Sequence, residues 1–263
     1  MQPHLSSFGC NKMKTFLWLW MCIVINAQAA VIPQQSRLIF HPGEVQTPLL
    51  LVNSGDAPVL IQTWVDSGAP EKSPGSKAFP FVALPGVFTL NKDEKKQITV
   101  LRTELAATLP QDRESLYWLN LYEISAVKKG TIQPGSDKIS MALNTQLKVI
   151  NRPFKKAIPF TARVNAVTFQ VRKIQGQVFI RATNRSGYFF TPGKMTVRAG
   201  GKGYTVYLDG DKTLAPFSSK EYPLMGNASP SAASQILVDY TALDDEGNPQ
   251  AFTAPVAPSE EAP

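Results

Sequence analysis

The chain is written in short apolar runs, and none is long enough or periodic enough to be a packed helix. "TPLLLVN", "PVLIQTWVD", "KQITVLRT", "SLYWLNLYEI", "KISMALNTQLKVI", "VFIRATN", "KMTVRAG" and "SQILVDYTAL" are rich in Val, Ile, Leu, Thr and aromatic residues. Each is bounded by Gly, Pro, Asn, Asp or Ser. β-Branched and aromatic side chains suit a pleated surface, and the bounding residues supply the backbone angles that turns demand. No stretch holds the helical period of about 3.6 residues over three turns, so the expected class is all-β, built from sandwiches.

Residues 1–29 are read as a cleaved leader. Lys12 and Lys14 precede the apolar run "FLWLWMCIVI", followed by "AQA" ending at Ala29, the small-residue pattern of a signal-peptidase site. Phe16 to Ile25 is shorter than the roughly 20 residues a membrane span requires, and no later run approaches that length. Residues 1–12 read as an extension upstream of a start at Met13. The expected product is exported, without a membrane span.

Cys10 and Cys22 both leave with this leader, so the exported chain has no disulfide and must rely on its core. A 263-residue chain without its leader accommodates two domains of roughly 100 to 120 residues. The break falls in "NRPFKKAIP", Asn151 to Pro159, where two prolines and three basic residues follow a long strand. The expected domains are 30–151 and 152–252. A disordered tail is expected over 253–263, from the Pro, Ala and Glu content of "APVAPSEEAP".

Chemistry is scarce. His41, in the turn "FHPGE", is the only histidine after the leader, and no cysteine accompanies it. Neither a Cys and His zinc site nor a nucleophile and base pair can be assembled except on that residue. "GGKGY" lacks phosphate-loop spacing and reads as a hairpin turn. The carboxylates of "LDDEGNP" have no convergent partner. The formal net charge is +7, two units of it on Lys12 and Lys14, and that balance suits a solvated surface or acidic partners rather than nucleic acid. No enzyme activity, metal or cofactor is expected.

The strand "KISMALNTQLKVI", Lys138 to Ile150, is more informative. Ile139, Met141, Leu143, Thr145, Leu147 and Val149 alternate with Ser140, Ala142, Asn144, Gln146 and Lys148, which makes one face apolar. That face either packs into its own sandwich or awaits a partner. Its length is twice that of an average strand. An apolar edge is a hazard unless it pairs with something, and adding a strand to a partner's sheet is a known mode of recognition.

The stretch "LPQDRESLYWLNLYEI", Leu109 to Ile124, followed by "LNTQLKVINRP", resembles the signature of the periplasmic pilus chaperones of the chaperone/usher pathway, the PapD-like family. "SRLIF", "PVLIQTWVD", "FVALPGVFTL" and "ATNRSGYFFTP" are similar to family segments in family order, so the resemblance spans nearly the whole mature chain. It implies two immunoglobulin-like β-sandwich domains in a boomerang. It implies a chaperone that complements pilus subunits with its own donor strand and delivers them to an outer-membrane usher. By motif, Arg37 and Lys148 are expected to bind the subunit's C-terminal carboxylate. Ile139, Met141, Leu143 and Thr145 are expected to be the donor face. Glu114, Arg152 and Asp245 are expected to form an interdomain charge network, which would explain three charged residues, Asp112, Arg113 and Glu114, against a buried strand.

By alternation Lys148 faces away from Met141, so either a bulge or twist intervenes or the cleft and donor surface are approached from different sides. The resemblance also implies a cis peptide before Pro85. The segment Ser125 to Lys138 is longer than in short-loop members but lacks the long-loop cysteine pair, and the short-loop class is favoured. A free donor edge would be covered by a self-capping dimer or by that loop. The competing readings are an immunoglobulin-like pilus subunit or surface adhesin, and a carbohydrate-active enzyme that the lack of opposed carboxylates disfavours.

Overall fold

The structure is a computed structural model that describes residues 31–68, 78–125, 142–226 and 235–257. The expected leader, the expected donor positions Ile139 and Met141, and the end of the tail beyond residue 257 lie outside the described residues.

Among the described residues, nine strands build the first domain: β1 (Val31–Pro33), β2 (Arg37–Phe40), β3 (Gln46–Asn53), β4 (Val59–Asp66), β5 (Phe81–Leu84), β6 (Val87–Leu90), β7 (Lys95–Arg102), β8 (Ser115–Ser125) and β9 (Ala142–Asn151). They form one sheet in the order β1-β3-β7-β5 and a second in the order β2-β9-β8-β4-β6. Alternation decides what lies between them. In β4, Val59, Ile61, Thr63 and Val65 are buried, while Leu60, Gln62 and Trp64 look outward. Leu51, Ile61, Leu90, Leu119 and Leu121 are fully enclosed, each worth about 1.5 to 3 kcal/mol of apolar burial.

From β1 to β8 every connection carries the chain from one sheet to the other. The crossing between β5 and β6 is made at a cis Leu84–Pro85 peptide, where Thr63 N–H donates to Gly86 O at 2.8 Å. A buried Asn53 secures the turn after β3, donating from Nδ2 to Ala57 O and Leu90 O and accepting from Gly55 N.

The second domain follows a short helix, α1 (Phe160–Asn165), with β10 (Val167–Ile174), β11 (Gln177–Asn184), β12 (Pro192–Ala199), β13 (Lys202–Thr205), β14 (Ser219–Pro223), β15 (Ile236–Leu243) and β16 (Pro249–Ala257). Here a parallel contact of β16 with β10, Phe169 opposite Val256, joins what would be two layers into one curled seven-stranded sheet. Ile180, Met195, Val197, Leu214 and Val238 fill it. Asn184 repeats the role of Asn53, donating to Tyr188 O and Ala215 O. "GGKGY" forms the β12–β13 hairpin, with Gly200 at φ +56° and Gly201 at φ +77°.

The expected tail starts too early. β16 continues to Ala257, because Phe252, Ala254 and Val256 alternate onto the core while the backbone pairs with β15 and β10. Proline and alanine composition is outweighed there by a continuous ladder. Among the described residues no helix is long and apolar enough to cross a membrane.

Candidate functional site

Parallel pairing of β2 with β9 sets Arg37 opposite Lys148, and the row continues through Trp118 on β8 to Asp66 on β4. These side chains stand on the outer face of the first domain. Between that face and the second domain lies a cleft of about 480 Å³, lined by Arg37, Trp118 and Lys148 on one side and by Thr191 and Asp211 to Thr213 on the other.

Lys148 Nζ donates to Thr191 Oγ1 at 3.1 Å and to Thr213 Oγ1, and lies 5.5 Å from the centre of the Trp118 ring. Burial, and then the neighbouring Arg37 cation, lower its pKa to about 8. Burial also lowers that of Arg37, opposed by Asp245, Asp244, Glu114 and Glu246. Among the described residues neither cation has a carboxylate at ion-pair distance, and Arg37 Nε is buried without a hydrogen-bond partner. The two cations thus stand side by side, Lys148 held by neutral hydroxyls and a ring, with no carboxylate among the described residues paired to either.

The hinge beside the cleft is the opposite case. Arg152 Nε donates to Glu114 Oε1 at 2.6 Å, and its two terminal nitrogens grip Asp245 at 2.7 and 2.8 Å. Arg163, on α1, grips the same carboxylate at 2.8 and 3.0 Å. Both guanidinium groups lie over Tyr188, at 5.2 and 5.0 Å. Glu114 Oε2 accepts from Phe189 N at 2.7 Å, and Glu114 N donates to Gly187 O at 2.8 Å, which ties the start of β8 to the second domain.

No side chain fits at Gly187, since a Cβ would stand 2.8 Å from Asp112 O. Burial works against the Asp245 carboxylate, but hydrogen bonds from Arg152 and Arg163 overcome it and hold the group well below the usual carboxylate range. Burial raises Glu114, with Arg152 offsetting part of that rise. Asp112 and Arg113 pair with each other at the surface, and Arg113 lies 5.0 Å from the Phe217 ring of the second domain.

The two halves of β9 differ. β8 accompanies it from Ala142 to Asn151 with no shift of register, but β2 pairs only with Lys148 to Asn151. Among the described residues, Ala142 to Leu147 have no strand on their other edge. With no bulge, Lys148 shares the outer face with Gln146 and Asn144. Leu143 and Thr145 share the face that Leu147 and Val149 bury in the core. The cleft and the face expected to act as donor are therefore on opposite sides of the strand. Leu143 is 45% exposed.

Arg163, Tyr188, Thr191 and Thr213 were not anticipated from sequence. Thr191 and Tyr188 lie in "ATNRSGYFFTP", a segment noted only for its resemblance, and nothing in the spacing ties Arg163 or Thr213 to the site.

Residues 30–157 match the family described as pili and flagellar-assembly chaperone, PapD N-terminal domain. Residues 163–254 match pili assembly chaperone PapD, C-terminal domain. The chain belongs to the PapD pilus assembly chaperone family. It is 30% identical over 239 residues to chaperone protein FimB/FhaD of Bordetella pertussis, covering 88% of this chain and 90% of that protein. It is 27% identical over 243 residues to the probable fimbrial chaperone YadV of Escherichia coli K12, covering 91% and 96%. The crystal structure of the YadV chaperone superposes with a TM-score of 0.71 at 23% identity, covering 86% of this chain and all of that one. A chain in the Salmonella enterica SafA pilin and SafB chaperone complex does so with 0.65 at 22%, covering 87% and 97%. With both halves matching chaperone domains, the reading as a pilus subunit or adhesin loses its support.

Proposed function

We propose that the protein is a periplasmic chaperone that captures pilus subunits by lending them β9 as a missing strand, and passes them to an outer-membrane usher. The observation that carries this reading is that a half-paired strand runs into two cations without a carboxylate partner. Among the described residues, the backbone of Ala142 to Leu147 has no pairing partner along one edge, and Leu143 and Thr145 stand at alternate positions beside it. A subunit strand added there and ending near Lys148 would bring its terminal carboxylate to Arg37 and Lys148. Ile139 and Met141 would extend the donor face.

The Glu114, Arg152 and Asp245 network, with Arg163, sets the angle at which the second domain presents Thr191 and Thr213. Directional bidentate pairs do this better than apolar contact. Without a subunit, the exposed edge is expected to be covered by a second copy of the chain.

Affinity purification from periplasm, with the partner identified by mass spectrometry, tests the reading. The unaltered protein should recover a pilus subunit, and Lys148→Ala should not, while the variant still unfolds as a cooperative, folded protein. Equal recovery by the variant would remove the cleft from the mechanism.

A further inference from the structure

From Asp66, at the far end of the row of Arg37, Lys148 and Trp118, a polar branch returns to β9 that the capture reading does not use. Asp66, on β4 and only 6% exposed, accepts from Trp64 Nε1 at 3.0 Å, Gly68 N at 2.7 Å and Asn120 Nδ2 at 2.8 Å. Asn120, on β8 and fully buried, turns its Oδ1 toward β9, where it accepts from Asn144 Nδ2 at 3.0 Å and Gln146 Nε2 at 2.8 Å. The carboxylate dictates the polarity of this chain of bonds. An ionised Asp only accepts, so Asn120 must offer it the amide N–H and offer β9 the carbonyl.

Both donors on β9 lie in the half of the strand that has β8 as its one neighbour among the described residues. A strand with one ladder is held by half the backbone hydrogen bonds of a central strand and opens more readily. The side-chain ladder adds anchorage where the second ladder is lacking. The adjacent row starts from the same turn. Gly68, at φ +88°, sits where a Cβ would stand 2.5 Å from the Trp118 ring, and that ring carries the Lys148 ammonium.

We infer that Asp66 and Asn120 are positioning residues for capture. Asp66, at the end of β4 two strands away, orients Asn120 on β8, and through it the pair pins the free-edged half of β9 and keeps its outer edge straight for an incoming strand. The inference rests on the donor-strand reading and names what prepares that strand. Order established before binding does not have to be created during it, so the ladder acts on the rate and affinity of capture.

Two variants test it, Asn120→Leu and the double variant Asn144→Ala with Gln146→Ala, which removes the donors from β9 and leaves Asn120 and its bond to Asp66 in place. In the free protein, amide hydrogen exchange of Ala142 to Leu147 is expected to quicken about tenfold in both, with exchange in β3, β4 and β7 unchanged. Binding of a synthetic peptide of alternating valine and serine with a free C-terminal carboxylate, followed by tryptophan fluorescence, should weaken in step. Unaltered exchange in the double variant overturns the inference, as does quickened exchange without weaker peptide binding. Failure of the unaltered protein to bind the peptide counts instead against the capture reading, and the exchange result still decides whether the ladder pins β9.

Discussion

The hinge and the cleft are built from the same materials and end in opposite electrostatic states. At the hinge two arginines meet two carboxylates, every charge is answered, and Arg152 and Glu114 are 3% and 2% exposed at their side chains. A few residues along β9, Arg37 and Lys148 are also brought together, yet Lys148 is held by two threonine hydroxyls and Arg37 Nε has no partner among the described residues. Charges satisfied within the chain fix geometry. Charges left over are available to a ligand, and their desolvation lowers Lys148 to about 8 and lowers Arg37 as well.

The contrast breaks most visibly at Arg152. Arg152→Ala strips a buried Glu114 of its cation and Asp245 of one of two clamps, and should cost about 3 to 5 kcal/mol in urea or thermal unfolding. Pairing that change with Glu114→Leu should recover much of the loss, because no unanswered charge then stays buried. If Arg152→Ala melts like the unaltered protein, the hinge is not held by this network.

Lys148 should respond with the reverse sign. Its folded pKa of about 8 lies below the ordinary value of 10.5, so the folded protein sheds this proton while the unfolded chain still keeps it. Between those pH values the unfolded state binds more protons, and stability from this group rises with pH. Below about pH 8 the buried cation costs the fold its full penalty. Relative to Lys148→Met, the unaltered protein should gain about 2 kcal/mol between pH 8 and 10.5. Carboxylate binding should move the other way, weakening as the ammonium is lost. Parallel melts of the two proteins across that range would contradict the burial of this cation.

Much of this was legible in the chain because strands announce themselves by local pattern. β4, β8 and β9 lie where alternation and turn residues put them, within a few residues. The signature around Asp112 to Glu114 pointed to a hinge because its motif is long. What stayed hidden depends on approach across the fold. "FVALPGVFTL" reads as one segment and is two strands in two sheets, since only packing shows that the chain crosses at Pro85. The tail composition of "APVAP" concealed a strand whose Phe252 and Val256 reach the core. Arg163 lies in "FTARVN", with no periodic neighbour to mark it, and becomes part of the hinge because α1 sets it against a carboxylate 82 positions away. Its removal should show as the smaller hinge effect. Arg163→Ala leaves Asp245 paired with Arg152 and 30% exposed, and should cost about 1 kcal/mol. A loss as large as that of Arg152→Ala would make the two arginines a single unit instead of a clamp and its support.

The smallest effect is the sharpest division between the two kinds of site. Leu143 and Leu147 lie on one face of one strand, four positions apart, and differ in what covers them. Leu147 is 5% exposed within the core, whereas Leu143 is 45% exposed beside an edge with no second strand among the described residues. Leu147→Ala should therefore cost the roughly 2 to 5 kcal/mol of a core truncation. Leu143→Ala should change the melting of the free protein by less than about 0.5 kcal/mol, the range of surface substitutions. If β9 is lent to a subunit, the order reverses on binding. Leu143 becomes a side chain inserted into a partner, and its loss should weaken recovery of the subunit while the fold is untouched. A large loss of stability with normal recovery would place Leu143 with Leu147 as core and confine the capture surface to the cations at the end of the strand.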